Sequence, residues 1–304
     1  MLDFLGIGAQ KAGTTWMFEW LRKHPEVHFP HIKEISFWNS HYPRSLADPD
    51  YKKNIHWYRS LFNHWEESGD KHAEARKQAE SLPPYQPGWF DRIMRLLDPP
   101  KPAQAQAKKL SIKPEESHLK LGEISPTYCY FDDNRTIESI REFAPNVRLL
   151  LTTRHPIDRA WSSAQMAIKR AEMKPEEASD QWYLDHFYSE LSLKYGDYEK
   201  ALDAWLAVFP CEQLLLQQFE DMRRQPHAFL RRCLEHIGVK EIGFFDSIPE
   251  EALGRKVFEG TGKEIRPSLL PALEALYNPK IERLKSRYGI DYTHLPSHLK
   301  PEVV

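Results

Sequence analysis

The chain has few cysteines, no long apolar run and no excess of charge of either sign. Its 304 residues include 3 cysteines, Cys129, Cys211 and Cys233, whose separation fits neither a metal site nor a redox motif. We expect them to be thiols in a reducing compartment. Lysine and arginine number 42 against 44 aspartates and glutamates, and this net charge of −2 argues against a nucleic-acid partner.

Membrane and metal signals are also missing. No stretch of about 18 apolar residues occurs, so no membrane span is predicted. The first apolar run begins at Phe4, which leaves no room for a signal peptide, and we predict a cytoplasmic protein. His28, His31 and Glu34 follow one another at intervals of three, but prolines interrupt the segment and no metal site is expected there.

What the chain has instead is a glycine loop near its beginning. The apolar run of residues 4–8 predicts a strand, Gly13 predicts a tight loop, and a helical pattern follows. Such a loop and helix N-terminus bind anions through backbone N–H groups and the helix dipole. Lys11 adds a positive charge, and Thr14 and Thr15 add hydroxyl donors. The segment therefore predicts a phosphate-binding site.

The position of the lysine separates this loop from that of ordinary ATPases. A Walker A loop reads G-x-x-x-x-G-K-[ST], with the lysine after the second glycine. Here Gly8 and Gly13 keep the spacing, but Thr14 takes the place of the lysine and Lys11 lies inside the loop. This arrangement predicts a different group on the 5′ side of a nucleotide.

A second candidate site follows another apolar run. Residues 147–153 predict a buried strand, and Arg154 comes directly after it. The next residues suit the first turns of a helix, which places Ser162 on a face similar to that of Asp158. An arginine at the carboxyl end of a parallel strand, with a serine nearby, suits a phosphate monoester. For Arg159 we predict a structural ion pair with Asp158 or with a neighbouring helix.

Both motifs resemble those of sulfotransferases that use 3′-phosphoadenosine 5′-phosphosulfate (PAPS). The pattern G-x-x-K-[AGS]-G-T-[ST] resembles their 5′-phosphosulfate loop, and R-[DH]-P-x-[DE]-R-A-x-S resembles their 3′-phosphate motif. The resemblance implies PAPS as donor, PAP as product and no metal requirement. The residues that it implies for cofactor binding are Gln10, Lys11, Ala12, Gly13, Thr14, Thr15, Trp16, Arg154, Ser162, Gly262, Lys263 and Arg266.

The last three of these residues come from a late, glycine-bearing segment. Residues 258–267 resemble the loop that covers the 3′-phosphate of the nucleotide, through backbone N–H groups near Gly262 and the charge of Lys263. An ordinary exposed turn is the alternative for this segment.

A third motif concerns the acceptor. Residues 33–38 resemble a stretch of the heparan sulfate N- and O-sulfotransferase branch. This resemblance implies that Glu34 is the catalytic base, while Lys11, with Lys33 as helper, neutralises the leaving oxygen. The alternatives for Glu34 are a solvated carboxylate and an ion pair with Lys33. Candidates to stack on a sugar ring or line an apolar pocket are Trp38, Trp57, Tyr58 and Trp89.

One position departs from that branch, which usually carries a lysine in a segment like E-K-[ST]-P-x-Y. Here Ile124 takes the place of that lysine. Glu123 is then a second candidate acidic group in the cleft, or it orients Lys11 or Ser125. Tyr128 lines the acceptor site or packs in the core.

The order of the elements predicts the architecture. Alternating strands and helices favour an α/β fold, a single P-loop-like domain over residues 1–304 with a central parallel β-sheet flanked by helices on both faces. Residues 66–118, charged and proline-bearing, predict an inserted lid or a flexible segment. Residues 214–221 predict a strand with an acidic end. A stripe at helical spacing predicts core positions at Tyr183, Phe187, Leu191, Tyr198, Leu202 and Trp205.

The predicted function is transfer of a sulfuryl group from PAPS to a hydroxyl or amine of a carbohydrate or small metabolite. Two alternatives stay open: a P-loop kinase of small molecules, and a non-catalytic module that binds PAP or PAPS. The displaced lysine argues against the kinase, whereas Ile124 keeps the second alternative open.

Overall fold

A short, wholly buried strand of apolar residues and glycines is the centre of the fold. The computed structural model describes residues 2–30, 33–63, 119–131, 134–241, 243–248, 252–253 and 264–292. Its five strands are Phe4–Gly8 (β1), Val27–His28 (β2), Lys120–Ile124 (β3), Arg148–Thr153 (β4) and Leu214–Gln218 (β5). All of their pairings are parallel, and the strand order is β2-β3-β1-β4-β5.

Helices connect these strands. A π-helix at Phe37–His41 lies directly before the α-helix Tyr42–Ala47. The α-helices of the described residues are Thr14–Leu21 (α1), Tyr42–Ala47 (α2), Ile55–Asn63 (α3), Asn134–Phe143 (α4), Pro156–Arg170 (α5), Asp180–Tyr188 (α6), Glu190–Tyr195 (α7), Tyr198–Val208 (α8), Phe219–Arg224 (α9), Pro226–His236 (α10) and Leu270–Tyr288 (α11).

The sheet has a hydrophobic core on each face. Because successive side chains of a strand point to opposite faces, Leu5 and Ile7 of β1 lie in one cluster and Phe4 lies in the other. The first cluster is packed against α4, α5, α8 and α11, and the second against α1 and α10. The predicted α/β fold, with helices on both faces of a parallel sheet, is confirmed.

The core prediction is wrong for Leu191, which is 58% exposed. The six residues were placed on one helical stripe, but the chain divides into three helices there. Ser189 ends α6 and caps α7, since its hydroxyl accepts a hydrogen bond from the Ser192 N–H. The break changes the helical phase, and the other five predicted positions are buried.

The prediction that residues 214–221 form a strand with an acidic end is also wrong. β5 ends at Gln218, and Glu220 and Asp221 lie in the first turn of α9. Carboxylates are favoured at a helix N-terminus because the helix dipole is positive there. Glu220 and Asp221 therefore mark the beginning of a helix, which comes directly after the apolar strand.

The order of the strands determines where a ligand can bind. From β1 the chain builds β2 and β3 on one side, and then crosses to β4 and β5 on the other. Such a switch point opens a crevice at the carboxyl ends of the neighbouring strands, here β1 and β4. Both sequence motifs begin at these two ends. The predicted insertion at 66–118 lies outside the described residues.

Candidate active site

The loop after β1 is a tight turn that delivers the chain into α1. The Ala9 N–H donates to the Thr152 carbonyl of β4 at 2.7 Å, and the Ala12 N–H donates back to the Ala9 carbonyl at 3.1 Å. Lys11 and Gly13 both have left-handed backbones, with φ of 69° and 83°. Gly13 has no side chain with which to cap α1, and the first N–H groups of a helix have no partner within it. This arrangement favours an anion at the loop.

Gly13 is required by sterics as well as by its backbone angle. A Cβ atom at this position would lie 2.7 Å from the Met222 Cε and Sδ atoms and 2.9 Å from the Phe219 ring. The turn therefore packs directly against α9, which leaves no space for a side chain.

Substitution of Gly13 by alanine is expected to lower the free energy of unfolding by about 3 kcal/mol, because backbone strain and overpacking combine. Gly289 provides the matched control, since it has φ of 68° but no atom within 4 Å of an added Cβ. Gly289→Ala should cost about 1 kcal/mol, the strain alone. Urea unfolding of both variants measures the difference, and equal losses would contradict the packing argument.

Arg154 lies next to this loop. Its guanidinium Nη1 donates to the Lys11 carbonyl at 3.2 Å, and the same group lies 4.7 Å from the centre of the Phe219 ring. The Arg154 N–H is 3.4 Å from the Tyr198 hydroxyl. The structure thus brings the two sequence motifs together across the switch point between β1 and β4.

The carboxyl groups of Asp158 and Glu220 lie near Arg154. Burial raises the pKa of Asp158 to about 7, although Arg154 opposes this shift and Glu220 adds to it. Burial also raises the pKa of Glu220, whose Oε1 accepts from the His155 N–H at 2.9 Å. Among the described residues, Glu220 Oε2 and Arg154 Nε are buried without a hydrogen-bond partner. The cluster therefore retains polar atoms that a bound ligand could satisfy.

The other helical residues of this motif have distinct positions. Ser162 is half-buried on α5, four residues after Asp158 and hence on the same face of the helix. Arg159 is fully buried, and its Nη2 donates to the Ser192 carbonyl at 3.0 Å and lies 3.3 Å from the Tyr277 hydroxyl. Arg159 thus ties α5 to the neighbouring helices α7 and α11, but through uncharged carbonyl and hydroxyl groups rather than the ion pair that was predicted.

The late loop is represented by Arg266 alone, because Gly262 and Lys263 lie outside the described residues. The Arg266 guanidinium pairs with Asp180 at 2.5 Å and donates to the Pro175 and Ala178 carbonyls at 2.7 and 2.9 Å. It also lies over the Tyr183 ring. These contacts fix the turn before α6, and a direct contact of Arg266 with a nucleotide stays a prediction.

Glu34 lies in a loop with an unusual backbone. Glu34 and Ser36 both have left-handed conformations, with φ of 62° and 54°, although neither is glycine. The Glu34 carboxylate is half-buried and forms an ion pair with the Lys33 ammonium group. The ion pair that the sequence left open as an alternative is therefore present.

The predicted aromatic lining is wrong for Trp38 and Tyr58. They are 1% and 0% exposed, and both rings pack with Phe37, which stacks on Tyr58 at 4.4 Å between ring centres. Trp38 lies in the π-helix and Tyr58 in α3, and the two rings pack against each other in the core between these elements. Trp57 is half-buried, and Trp89 lies outside the described residues.

Ile124, which takes the place of the lysine expected from the resemblance, is also core. It is 1% exposed and packs over β1, where an added Cβ at Gly6 would lie 2.6 Å from its Cγ1 atom. The position is therefore apolar on the α1 side of the sheet. The preceding residue, Glu123, points to the other face and accepts hydrogen bonds from three hydroxyl groups. The contact with Ser125 was among the predicted alternatives, whereas those with Tyr58 and Tyr128 were not foreseen.

Comparison with known proteins assigns the family. The family model described as the sulfotransferase family matches residues 4–242, and the chain belongs to this family. In a solved structure, the sulfotransferase from Alicyclobacillus acidocaldarius has the same fold, with a TM-score of 0.56, 22% identity, and coverage of 96% of this chain and 97% of that one.

The curated relatives are longer proteins, of which this chain matches only a part. The chain is 24% identical over 250 residues to bifunctional heparan sulfate N-deacetylase/N-sulfotransferase 2 of Homo sapiens, and this match covers 78% of this chain and 22% of the human protein. It is 23% identical over 287 residues to heparan sulfate glucosamine 3-O-sulfotransferase 3A1 of Mus musculus, with 91% and 56% covered. Within the described residues, no helix is long and apolar enough to cross a membrane, and no cluster of histidine, cysteine or acidic side chains could hold a metal.

Proposed function

We propose that this protein transfers a sulfuryl group from PAPS to a hydroxyl or amine of a carbohydrate acceptor. The observation that carries the proposal is the contact between Arg154 and the Lys11 carbonyl. It places a lysine-bearing anion loop and a strand-end arginine at one edge of the sheet, as a nucleotide with phosphate groups on both its 5′ and 3′ sides requires.

The donor would be held from both sides. The loop N–H groups, Thr14 and Thr15 would bind the 5′-phosphosulfate, with Gln10, Ala12, Gly13 and Trp16 forming the rest of the loop. Arg154 and Ser162 would bind the 3′-phosphate, for which the buried Arg154 Nε still has a hydrogen bond to give. PAPS supplies an electrophilic sulfur atom on a good leaving group.

The protein residues would then act on the acceptor and on the leaving oxygen. The Glu34 carboxylate would take the proton of the acceptor hydroxyl or amine as its oxygen or nitrogen forms the bond to sulfur. As the bond from sulfur to the bridging oxygen breaks, the electron pair stays on PAP, and the Lys11 ammonium group would neutralise the charge that develops there. Sulfuryl transfer by this route leaves Glu34 protonated, so release of that proton completes the cycle.

The acceptor class follows from the relatives, whose names specify heparan sulfate and its glucosamine residues. A direct test is transfer of radiosulfur from labelled PAPS to an oligosaccharide panel with free glucosamine amines or free hydroxyls, together with a fractionated host extract. Label that is transferred with release of PAP supports the proposal. Tight binding of ATP with magnesium in preference to PAP would instead support a kinase, and PAP binding without transfer to any acceptor would support a binding module.

The 3′-phosphate assignment has its own test. Arg154→Ala should weaken PAP binding about 10- to 100-fold, the range for loss of a charged hydrogen bond, while ADP binding changes less than about threefold. Arg148→Ala is the matched control, because Arg148 begins the same strand at its opposite end and donates to the Glu212 carbonyl. Calorimetric titration with both nucleotides measures the difference, and equal losses for PAP and ADP would remove the assignment.

A further inference from the structure

The buried carboxylate of Glu123 has no part in the chemistry proposed above. Glu123 is 1% exposed, in the β3 position that pairs with Leu5 of β1. Within the described part of the chain, its side-chain hydrogen-bond partners are three hydroxyl groups, the Ser36 N–H also points at it, and it forms no ion pair. A buried acidic group is expensive to retain in a core, so its partners are informative.

Three hydroxyl groups converge on this carboxylate. The Tyr58 hydroxyl donates to Oε2 at 2.5 Å, and the hydroxyls of Ser125 and Tyr128 donate to Oε1 at 2.6 and 2.7 Å. Burial raises the pKa of Glu123, and these hydrogen bonds oppose that shift. Three donors on two oxygen atoms match an ionised carboxylate, which only accepts hydrogen bonds.

Two of these hydroxyls continue to the loop that carries Glu34. The Ser36 N–H donates to the Ser125 hydroxyl at 3.2 Å, and the Trp38 N–H donates to the Tyr128 hydroxyl at 3.3 Å. Each hydroxyl must therefore direct its own proton at Glu123 and its lone pair at a loop N–H group. An acceptor-only group at position 123 fixes both orientations.

The loop needs this support because its backbone is strained. Left-handed conformations at two residues that are not glycine, Glu34 and Ser36, are unfavourable and persist only where surrounding contacts hold them. The two N–H groups that these hydroxyls bind belong to Ser36 itself and to Trp38. Both residues follow closely after Glu34, whose carboxylate is the proposed base.

We propose that Glu123 is a positioning residue: through Ser125 and Tyr128 it holds the backbone of residues 34–38 and thereby aims the Glu34 carboxylate at the acceptor. The claim that Glu34 is aimed at the acceptor rests on the proposed function. The claim that Glu123 holds the backbone of residues 34–38 concerns the folded chain alone and can be tested without any substrate.

Glu123→Met is the sharpest variant because it keeps a side chain of similar length and removes both carboxylate oxygens. The hydroxyls of Ser125 and Tyr128 then lose the acceptor of their protons, and their orientation toward the loop is no longer fixed. Tyr128→Phe removes one relay while preserving the ring. Tyr58→Phe is the matched control, since the Tyr58 hydroxyl donates to Glu123 but is not one of the two hydroxyls that accept from backbone N–H groups of the loop.

The experiment combines amide hydrogen exchange in residues 34–38, PAP affinity and sulfuryl transfer, all on the full chain. In Glu123→Met and Tyr128→Phe we expect amide exchange to be at least about tenfold faster and kcat to be about 10- to 100-fold lower. The Kd for PAP should stay within about twofold of wild type, because the donor loop follows another strand. In Tyr58→Phe, exchange and kcat should change by less than about threefold.

Other results would overturn the proposal. Unchanged exchange in Glu123→Met, or faster exchange with an unchanged kcat, removes the positioning role. An equal loss of PAP affinity and kcat indicates a general structural defect and also removes it. If Glu123→Met does not fold, Ser125→Ala replaces it, with the same expected split between exchange and PAP affinity. A wild-type protein that transfers no sulfuryl group overturns the proposed function, whereas hydrogen exchange still decides whether Glu123 holds the loop.

Discussion

Substitution of Lys11 by alanine is expected to lower kcat for sulfuryl transfer about 100- to 1000-fold while the protein stays folded. The ammonium group is proposed to neutralise the oxygen atom that departs with PAP, and removal of one such stabilising group has an effect of this order. Alanine keeps a Cβ atom, so the left-handed backbone at this position, with φ of 69°, is equally strained in both proteins. Initial rates with labelled PAPS and thermal unfolding measure the two quantities.

Lys23→Ala is the control for loss of one lysine near α1. Lys23 follows the carboxyl end of the helix, where its ammonium group lies 3.7 Å from the centre of the Trp20 ring. We expect its kcat to remain within about twofold of wild type. Retained turnover in Lys11→Ala, or an equal loss in both variants, would be incompatible with the role given to Lys11.

Substitution of Glu34 by glutamine is expected to lower kcat about 100- to 10,000-fold, the usual contribution of a general base. Glutamine has nearly the same shape but cannot take the proton of the acceptor. PAP affinity should change little, because Glu34 is proposed to act on the acceptor rather than on the donor. Transfer of radiosulfur under single-turnover conditions separates the chemical step from binding.

The ion pair with Lys33 supplies the control for this variant. Glu34→Gln removes both the base and the ion pair, whereas Lys33→Ala removes the ion pair and leaves the carboxylate. We expect Lys33→Ala to lose less than about tenfold in kcat. Similar losses in the two variants would mean that Glu34 acts only through its ion pair, and the base would have to be sought elsewhere.

The sequence predicted the elements that carry a local signal. The uninterrupted apolar runs of β1 and β4, each followed by a helix, indicated two central strands of a parallel sheet. β2 has only two residues, and β3 contains a glycine and a buried glutamate, so neither has the apolar pattern of a central strand. Their positions depend on pairing with distant strands, which no local pattern encodes.

The residues of the candidate site likewise divide into those that a local motif predicted and those that only the fold brings together. The loop that bears Lys11 and the strand end that bears Arg154 were found because each motif is contiguous in the chain. The contact of Glu123 with Ser125 was among the predicted alternatives, since the two residues are near neighbours in the chain. Its contact with Tyr58 was not foreseen, because Tyr58 lies 65 residues away and its hydroxyl meets Glu123 only in the folded protein. Trp38 and Tyr58 were misassigned as acceptor contacts, since aromatic residues near a site and aromatic residues in a core have the same sequence signal.

The contact between Arg154 and the Lys11 carbonyl joins residues 143 positions apart, and this separation has a consequence for how the protein folds. Pairing of β1 with β4 requires closure of a long chain segment, and contacts of this kind form late and slowly. A nucleotide held by both residues would find its full binding site only after this closure. Such a ligand would therefore prolong the lifetime of the native state by slowing unfolding, and would do little to accelerate folding.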